Sequence, residues 1–288
     1  MSNEKYHKVY GQNQDQGEKW NSKMGSAWVK NDAKMNSLLE VMTGQLLKEL
    51  GQLEGKQILD IGCGSGKISK LLSAKAGSNG NIQGVDISKP LLELAKKKYG
   101  HMQNIKFLNA DAQSFRFKPS FYDQIISRFG VMFFENPVAA FRNMHRSLKS
   151  NGRLDFICWS TLEDNEFFFL PLQIVLKYLN KPHPKPSTEP GPLAFSSKSY
   201  LSQTLESSGF NKITIKTINT EMLSTDPINT QITFFNQIGL AARIKKEAPF
   251  DTETHKKIDD ELKIELIKRS SNNCTKLKAT VHYVSASA

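Results

Sequence analysis

The sequence contains little cysteine, with three cysteines in 288 residues. Cys63, Cys158 and Cys274 are odd in number and far apart, so they do not form a disulfide framework, and they lack the spacing of metal ligands. We therefore predict no metal site. Unpaired thiols of this kind are typical of a reducing compartment, and we expect a cytoplasmic protein.

Long apolar runs are also missing. No uninterrupted run approaches the roughly 20 residues that a membrane-spanning helix needs, and the polar start of the chain lacks the apolar region of a signal peptide. The sequence therefore predicts no membrane span. Its length and its 39% hydrophobic content are enough for one large folded domain, or for one domain with a cap.

Acidic residues are in the minority, and the formal net charge is +11. Most of the excess is lysine between residues 58 and 160, for example at 96–98. No basic run is interleaved with aromatic residues, which favours a solvated lysine-rich surface over a nucleic-acid interface. The positive charge is also compatible with an anionic small substrate. The sequence does not decide whether the protein forms an oligomer.

The most informative stretch is a strand followed by a glycine-rich turn. Ile58, Leu59 and Ile61 form a short apolar run that predicts a buried strand, and glycines occupy alternate positions from Gly62 to Gly66. Apolar residues at helical spacing follow. This is the first unit of a nucleotide-binding α/β sheet, although it lacks both the third glycine of the dinucleotide fingerprint and the Lys-Ser/Thr pair of phosphate-binding loops.

An acidic residue, Asp60, directly precedes this turn. A carboxylate there repels a pyrophosphate, whereas it suits a ligand that carries a cationic amino-acid group. The turn and Asp60 together indicate a nucleoside-like ligand with a positive end.

Residues 59–66, Leu-Asp-Ile-Gly-Cys-Gly-Ser-Gly, resemble the first motif of class I S-adenosylmethionine-dependent methyltransferases. Residues 85–88, 109–112 and 121–127 resemble the family's segments after the second strand, after the third strand and in the fourth strand. Together they cover residues 56–160. The likeness is greatest to the small-molecule branch, of the methyltransferase type 11/25 kind.

The resemblance implies an α/β, Rossmann-like fold with a seven-stranded, mostly parallel sheet, helices on both faces and an α-helical cap. In that family the last strand enters antiparallel between the fifth and the sixth. The predicted divisions are an N-terminal helical arm (1–50), a cofactor-binding core (51–160), a lid insertion (161–195), a core continuation (196–220), a helical cap (221–270) and a final core strand (271–288).

The predicted strands lie near 58–61, 81–86, 104–109, 122–127, 153–159, 210–218 and 281–284. Ser37 and Glu40 have the spacing of a capping box, which predicts a helix start between them. Residues 231–245 and 252–269 are predicted as one helix each. A proline-rich stretch from Pro182 to Pro192 predicts an ordered loop over the site.

The resemblance also implies roles for residues at the strand ends. Asp86 is expected at the ribose, Asp111 and the Ala112 amide at the adenine, and Asp60 at the amino group of the cofactor. Gly62 and Gly64 are expected to let the backbone approach the methionine portion of the cofactor closely. The Ser127 carbonyl is expected to border the methyl group. The full cofactor-binding prediction is Asp60, Gly62, Cys63, Gly64, Asp86, Ile87, Asp111, Ala112 and Ser127.

The stretch after the fourth strand is predicted to form the floor of the substrate pocket. Arg128 stands among apolar residues, where it could clamp a carboxylate of cofactor or substrate or form a buried structural ion pair. The aromatic residues nearby fit either a recognition surface or ordinary core. The predicted pocket residues are Arg128, Phe129, Met132, Phe133, Trp159 and Phe167.

No general base can be named from the sequence. Arg128, His183 and Tyr10 are weak catalytic candidates, each as easily explained by structure or exposure. The predicted function is transfer of a methyl group from S-adenosylmethionine to a small, partly apolar acceptor beneath a helical cap. A nucleic-acid or protein methyltransferase, and a non-catalytic protein that binds the cofactor, remain as alternatives.

Overall fold

The computed structural model describes residues 13–288. Within this range eight strands form one sheet in the order β3-β2-β1-β4-β5-β8-β6, with the short β7 paired to β8. The pairs among the first five strands are parallel, and β8 is antiparallel to both neighbours. The strands are β1 (Gln57–Ile61), β2 (Asn81–Asp86), β3 (Ile105–Asn109), β4 (Tyr122–Arg128), β5 (Leu148–Trp159), β6 (Asn211–Ser224), β7 (Ser270–Ser271) and β8 (Cys274–Ser287).

This sheet confirms the predicted fold class, including the antiparallel last strand between the fifth and the sixth. A helix connects β1 to β2, β2 to β3 and β4 to β5, whereas β3 leads to β4 through a segment without a helix. The helices are α1 (Gln14–Trp20), α2 (Lys23–Lys30), α3 (Asp32–Leu38), α4 (Glu40–Glu49), α5 (Lys67–Ala76), α6 (Lys89–Tyr99), α7 (Pro137–Ser147), α8 (Glu166–Leu179), α9 (Lys198–Ser207), α10 (Ile228–Phe235), α11 (Leu240–Glu247) and α12 (Thr252–Lys268). A 3₁₀ turn covers Val131–Phe133. No described helix is both long enough and apolar enough to cross a membrane.

Side-chain caps fix where the core helices begin. The Ser88 hydroxyl accepts from the Leu91 amide at the start of α6, and the Asn136 side chain accepts from the Ala139 amide at the start of α7. A proline in the first turn of each helix has no amide hydrogen to leave unpaired. The start of α6 follows the end of β2 by only two residues, so the end of β2 lies next to a helix N-terminus.

Two helix predictions were wrong. Ser37 lies inside α3 and caps nothing; α3 and α4 are separated by Leu39 alone. The predicted helix over 231–245 is two helices, because Gly239 has φ +98° and interrupts the run between α10 and α11. Apolar spacing continues across both breaks, so periodicity alone could not locate them.

The last two long strands extend well past the predicted bounds. The β6–β8 ladder continues from Ile218 opposite Val281 to Ser224 opposite Thr275, whereas β5 ends at Trp159, opposite Val281. Six residues of β8 at about 3.3 Å each therefore project about 20 Å beyond the carboxyl edge of the parallel strands. We call residues 219–224 and 275–280 the β6–β8 extension. Its lysines alternate with buried residues, a pattern that the sequence analysis did not recognise as strand.

A buried polar network fastens the N-terminal helices to the sheet. The side chains of Arg153 and Gln124 both donate to the carbonyl of Leu50, which follows α4, at 2.7 and 3.2 Å. Both also donate to one Asp155 oxygen at 2.7 Å, and the Tyr283 hydroxyl donates to the other. Donors at a helix C-terminus satisfy its free carbonyls and oppose its dipole, so α4 is held in a fixed orientation over the sheet.

Candidate functional site

The glycine turn between β1 and α5 is shaped by close backbone contact. Gly62 has φ +66°, and a Cβ there would lie 2.6 Å from the Gly130 Cα. Gly64 has φ +53°, but a Cβ there would meet nothing within 4 Å. Gly62 is therefore required for packing against the β4 end, whereas Gly64 faces open space that a ligand can fill.

Asp86 joins the end of β2 to this turn. One carboxylate oxygen accepts from the Gly64 amide at 2.7 Å, and the other accepts from the Ser88 amide at 2.8 Å. Burial raises the pKa of Asp86 to about 6, and the backbone hydrogen bonds oppose that rise. Each oxygen retains acceptor capacity for a further donor.

Asp60 is buried at the end of β1 with one oxygen unpartnered. The Ser69 hydroxyl donates to Oδ2 at 2.6 Å, and Oδ1 has no hydrogen-bond partner among the described residues. Burial raises the pKa of Asp60 to about 7. A buried acceptor without a donor is unfavourable, and a donor on a bound ligand would satisfy it.

Asp111 follows β3 and is also buried. It accepts from the Ser114 hydroxyl at 2.8 Å, the Gln113 amide at 3.0 Å and the Asn13 side chain at 3.3 Å. Burial raises its pKa. Three donors leave one of about four acceptor positions on the carboxylate.

The end of β4 carries Ser127 and Arg128. The Ser127 hydroxyl donates to the Ile61 carbonyl at 2.8 Å and accepts from the Gly130 amide at 3.1 Å, so this side chain ties β1 to the turn after β4. Arg128 donates to the Thr43 hydroxyl and to the Asn36 carbonyl oxygen, both at 2.8 Å.

No carboxylate of the described residues lies within ion-pair distance of Arg128. Among the described residues, Arg128 therefore does not form the buried structural ion pair that was one of the two alternatives from the sequence. Burial lowers the pKa of Arg128 to about 10, still above neutrality. Its two hydrogen-bond partners, Thr43 and Asn36, are neutral. The guanidinium charge can therefore pair with an anionic group of a ligand.

Aromatic rings form a shelf beside Arg128. Phe129 has φ +63°, a strained value for this residue type, and its ring stacks on Trp159 at 4.4 Å and 11°. Trp159 meets Phe168 edge-on at 5.1 Å, and Phe168 meets Phe167 at 5.1 Å. The shelf therefore runs from the end of β4 across the end of β5 to α8.

A methyltransferase-domain family model matches residues 59–156. The chain is 28% identical over 187 residues to a demethylmenaquinone methyltransferase of Staphylococcus haemolyticus, covering 62% of this chain and 77% of that one. It is 31% identical over 122 residues to the Staphylococcus aureus strain MRSA252 protein of the same name, covering 42% and 50%. The chain is a class I S-adenosylmethionine-dependent methyltransferase.

Solved structures agree with this methyltransferase in fold. Phosphoethanolamine N-methyltransferase 2 of Haemonchus contortus, in complex with phosphomonomethylethanolamine and S-adenosylhomocysteine, has a TM-score of 0.55 at 14% identity and covers 93% of this chain and 58% of that one. An S-adenosylmethionine-dependent methyltransferase from Aquifex aeolicus has a TM-score of 0.50 at 20% identity and covers 66% and 91%. At these identities the likeness shows the fold alone.

The cofactor of the methyltransferase is S-adenosylmethionine, and the strand ends have groups that fit it. The open space at Gly64 leaves room for backbone approach. The unpartnered oxygen of Asp60 can accept from an ammonium, and Arg128 can bind a carboxylate. The residue assignments within this site remain predictions.

The helical arm predicted over residues 1–50 includes α1, but the sequence did not predict that α1 crosses the strand ends. At one end Asn13 donates to Asp111 and accepts from the Glu135 amide at 3.2 Å. At the other, Asn21 donates to the Ile87 carbonyl at 3.0 Å and accepts from the Lys89 amide at 2.9 Å. Between these anchors α1 lies over the predicted adenosine half of the site. The only sequence signal is two asparagines flanking a short helix.

Several predicted residues sit beside the site without showing a role. Cys63 is buried, and burial raises the pKa of its thiol, so it is an inert thiol at neutral pH. Met132 is buried, and its carbonyl accepts from Gly191 at 3.0 Å. The Phe133 ring meets Trp20 at 5.2 Å, beneath α1.

The weak catalytic candidates are not drawn together. His183 is exposed in the proline-rich loop, and its ring stacks on Phe169 at 5.1 Å with no hydrogen bond to the strand ends. Tyr10 lies outside the described residues. Of the three candidates, Arg128 is the one that the described structure places at the strand ends.

Proposed function

We propose that this methyltransferase acts on a small, partly apolar acceptor held on the aromatic shelf beneath α8 and the helices α10–α12. The observation that carries this proposal is the Phe129–Trp159 stack, which borders Arg128 and continues into α8. A stacked aromatic surface favours a flat or apolar molecule. We also propose the division into arm, core, lid and cap that the sequence suggested.

For the cofactor we propose one role per strand end. Asp60 accepts from the ammonium group of the cofactor, and Arg128 binds the carboxylate of the cofactor. The zwitterionic amino-acid end of the cofactor thus pairs with both side chains. Asp86 accepts from the ribose hydroxyls beside the backbone of Ile87. Asp111 and the Ala112 amide contact the adenine. The turn of Gly62, Cys63 and Gly64 and the Ser127 carbonyl border the methionine portion.

S-adenosylmethionine supplies a methyl group already activated by a sulfonium. The chain's own task is to orient the acceptor and exclude water, and orientation of this kind contributes about 7–11 kcal/mol. Arg128 is fixed by Thr43 and Asn36 on two helices, so the arm and the sheet hold it jointly. We assign no general base among the described residues.

The relatives named demethylmenaquinone methyltransferases make a quinol the first acceptor to test. A fused aromatic ring suits the Phe129–Trp159 shelf. The assay supplies S-adenosylmethionine labelled in its methyl group together with 1,4-dihydroxynaphthalenes or a lipid extract. We expect the label to enter the organic phase, and to stay out of it with the Asp86→Ala variant.

The same assay separates the alternatives. Label in RNA, DNA or protein would identify a macromolecular methyltransferase and contradict the small acceptor. Binding of the cofactor without label in any fraction would indicate a non-catalytic protein. The proposal requires label in a small molecule.

A further inference from the structure

The Asn36 side chain of α3 lies between Arg128 and a second charged group. Its amide oxygen accepts from Arg128 Nη2 at 2.8 Å, and its amide nitrogen donates to Asp32 Oδ1 at 2.9 Å. The same nitrogen lies 3.5 Å from the Ser65 hydroxyl oxygen of the glycine turn. Asn36 therefore links Arg128 to Asp32 and to the glycine turn.

Both charged neighbours require the same orientation of this amide. A guanidinium only donates hydrogen bonds, and an ionised carboxylate only accepts them. The reversed amide would place two donors together at Arg128 and two acceptors together at Asp32. Asp32 therefore holds the amide oxygen of Asn36 toward Arg128.

Thr43 of α4 repeats this arrangement at the other terminal nitrogen of Arg128. Its hydroxyl donates to the Leu39 carbonyl at 2.8 Å, so its oxygen can accept from Arg128 Nη1 at 2.8 Å. Each terminal nitrogen thus has one neutral acceptor whose own hydrogen is held elsewhere. The planar guanidinium is fixed at two points, while its other N–H groups make no hydrogen bond to the described residues.

The negative charge of α3 contacts Arg128 only through a neutral group. Asp32 is 7% exposed and forms an ion pair with Lys98 of α6. Its carboxylate reaches Arg128 through the Asn36 amide. A carboxylate at position 36 would instead contact the guanidinium directly, and it would compete with the carboxylate of a ligand.

We propose that Asn36, oriented by Asp32, is a positioning residue that directs Arg128 toward the carboxylate of the cofactor without neutralising it. The inference rests on the proposed function, because it requires that Arg128 binds this carboxylate. It explains why the acceptor at position 36 is an amide, since an amide holds the guanidinium and leaves its charge to the ligand.

Calorimetry with two ligands tests the role of Asn36. Decarboxylated S-adenosylmethionine retains the ammonium and the sulfonium of S-adenosylmethionine and lacks its carboxylate. We expect the parent protein to bind S-adenosylmethionine more tightly than the decarboxylated ligand, by about 10-fold or more. In Asn36→Asp the new carboxylate pairs with Arg128, so this preference should fall below about 3-fold, while the affinity for the decarboxylated ligand stays close to that of the parent.

Asn31→Asp is the matched control. Like Asn36, Asn31 donates to the carbonyl of the residue four positions earlier, but it makes no hydrogen bond to Arg128. The same added charge should therefore leave the preference unchanged. If Asn36→Asp does not fold, Asn36→Leu removes the acceptor without adding a charge and should lower the preference about 3-fold.

Asp32→Ala tests the orienting contact. The Asn36 amide can then turn, so the preference for S-adenosylmethionine should fall about 3-fold in this variant as well. An unchanged preference in Asp32→Ala would overturn the orienting role of Asp32.

An unchanged preference in the folded Asn36 variant would overturn the inference, because a purely structural Asn36 would weaken both ligands alike and keep their ratio. Equal binding of the two ligands by the parent would instead remove the carboxylate role of Arg128 in the proposed function. The two failures are therefore distinguished by the parent protein alone.

Discussion

Asp60 and Arg128 lie at the ends of neighbouring strands, carry opposite charges and make no ion pair with each other. Each is desolvated, and no opposite charge of the described residues lies within ion-pair distance of it, a condition that costs free energy in the cofactor-free protein. A ligand with an ammonium and a carboxylate would relieve both. A substitution that removes the charge of either residue should therefore raise the stability of the cofactor-free protein and lower its affinity for the cofactor.

The Asp60 carboxyl gives a pH prediction. Its pKa is raised from 3.8 to about 7, so the folded state binds the proton more tightly than the unfolded state. The contribution of Asp60 to the stability of the cofactor-free protein should fall as pH rises from about 4 to 7, by on the order of 4 kcal/mol. Asp60→Asn should then be more stable than the parent at pH 8, with the difference shrinking toward pH 4, in urea unfolding without cofactor.

The control is Asp123→Asn. The Lys149 side chain and the Gln57 amide lower the pKa of Asp123 against its partial burial, so this carboxylate stabilises the fold above its unfolded pKa. The variant should be less stable than the parent at pH 8. Equal pH profiles for the parent and Asp60→Asn would contradict the assignment.

Arg128→Met tests the proposed carboxylate contact. The side chain retains its apolar length and loses an uncompensated charge, so stability should be unchanged or higher. Affinity for S-adenosylmethionine should fall at least 10-fold, about 1.4 kcal/mol. Arg153→Met, which breaks the Asp155 contact away from the strand ends, should lower stability and spare affinity. Unchanged affinity in Arg128→Met would leave Arg128 with a structural role.

At the scale of elements, two glycines of the same turn have different roles, one in packing and one in the proposed binding of the cofactor. Both glycines have positive φ, which costs an added side chain about 1 kcal/mol. Gly62 in addition lies against Gly130, whereas Gly64 faces open space. The same substitution should therefore have different consequences two residues apart.

Gly62→Ala should lose at least 2 kcal/mol of stability, since its methyl group would overlap the Gly130 backbone. Gly64→Ala should lose about 1 kcal/mol and reduce cofactor affinity more than 10-fold. Thermal melts with and without S-adenosylmethionine separate the two effects. A Gly64→Ala protein with parental affinity would show that the space beside Gly64 is not used by the cofactor.

Across the whole molecule, sequence reasoning succeeded where chemistry is local. The strand, the glycine turn and the acidic strand ends are contiguous in sequence, and parallel pairing brings their carboxyl ends together. It failed where distant partners decide the structure. Asn13 and Asn21 fasten α1 through residues up to 122 positions away, and no local pattern indicates that.

The C-terminal third of the chain shows the same limit. The break at Gly239 depends on a backbone angle that apolar spacing does not reveal, and the β6–β8 extension depends on pairing between strands far apart in sequence. Lysines on its exposed face obscured the alternation. The strands of the parallel half of the sheet were thus predictable, whereas the length of β6 and β8 required the structure.

The most direct test is calorimetric titration of S-adenosylmethionine into the parent protein, Asp86→Ala and Asp123→Ala. Asp86 joins the glycine turn to the end of β2, and Asp123 lies on the same sheet in an ion pair with Lys149. The account predicts one site in the parent, affinity at least 100-fold weaker in Asp86→Ala and parental affinity in Asp123→Ala. Equal affinity in all three proteins, or no binding by the parent, would contradict it.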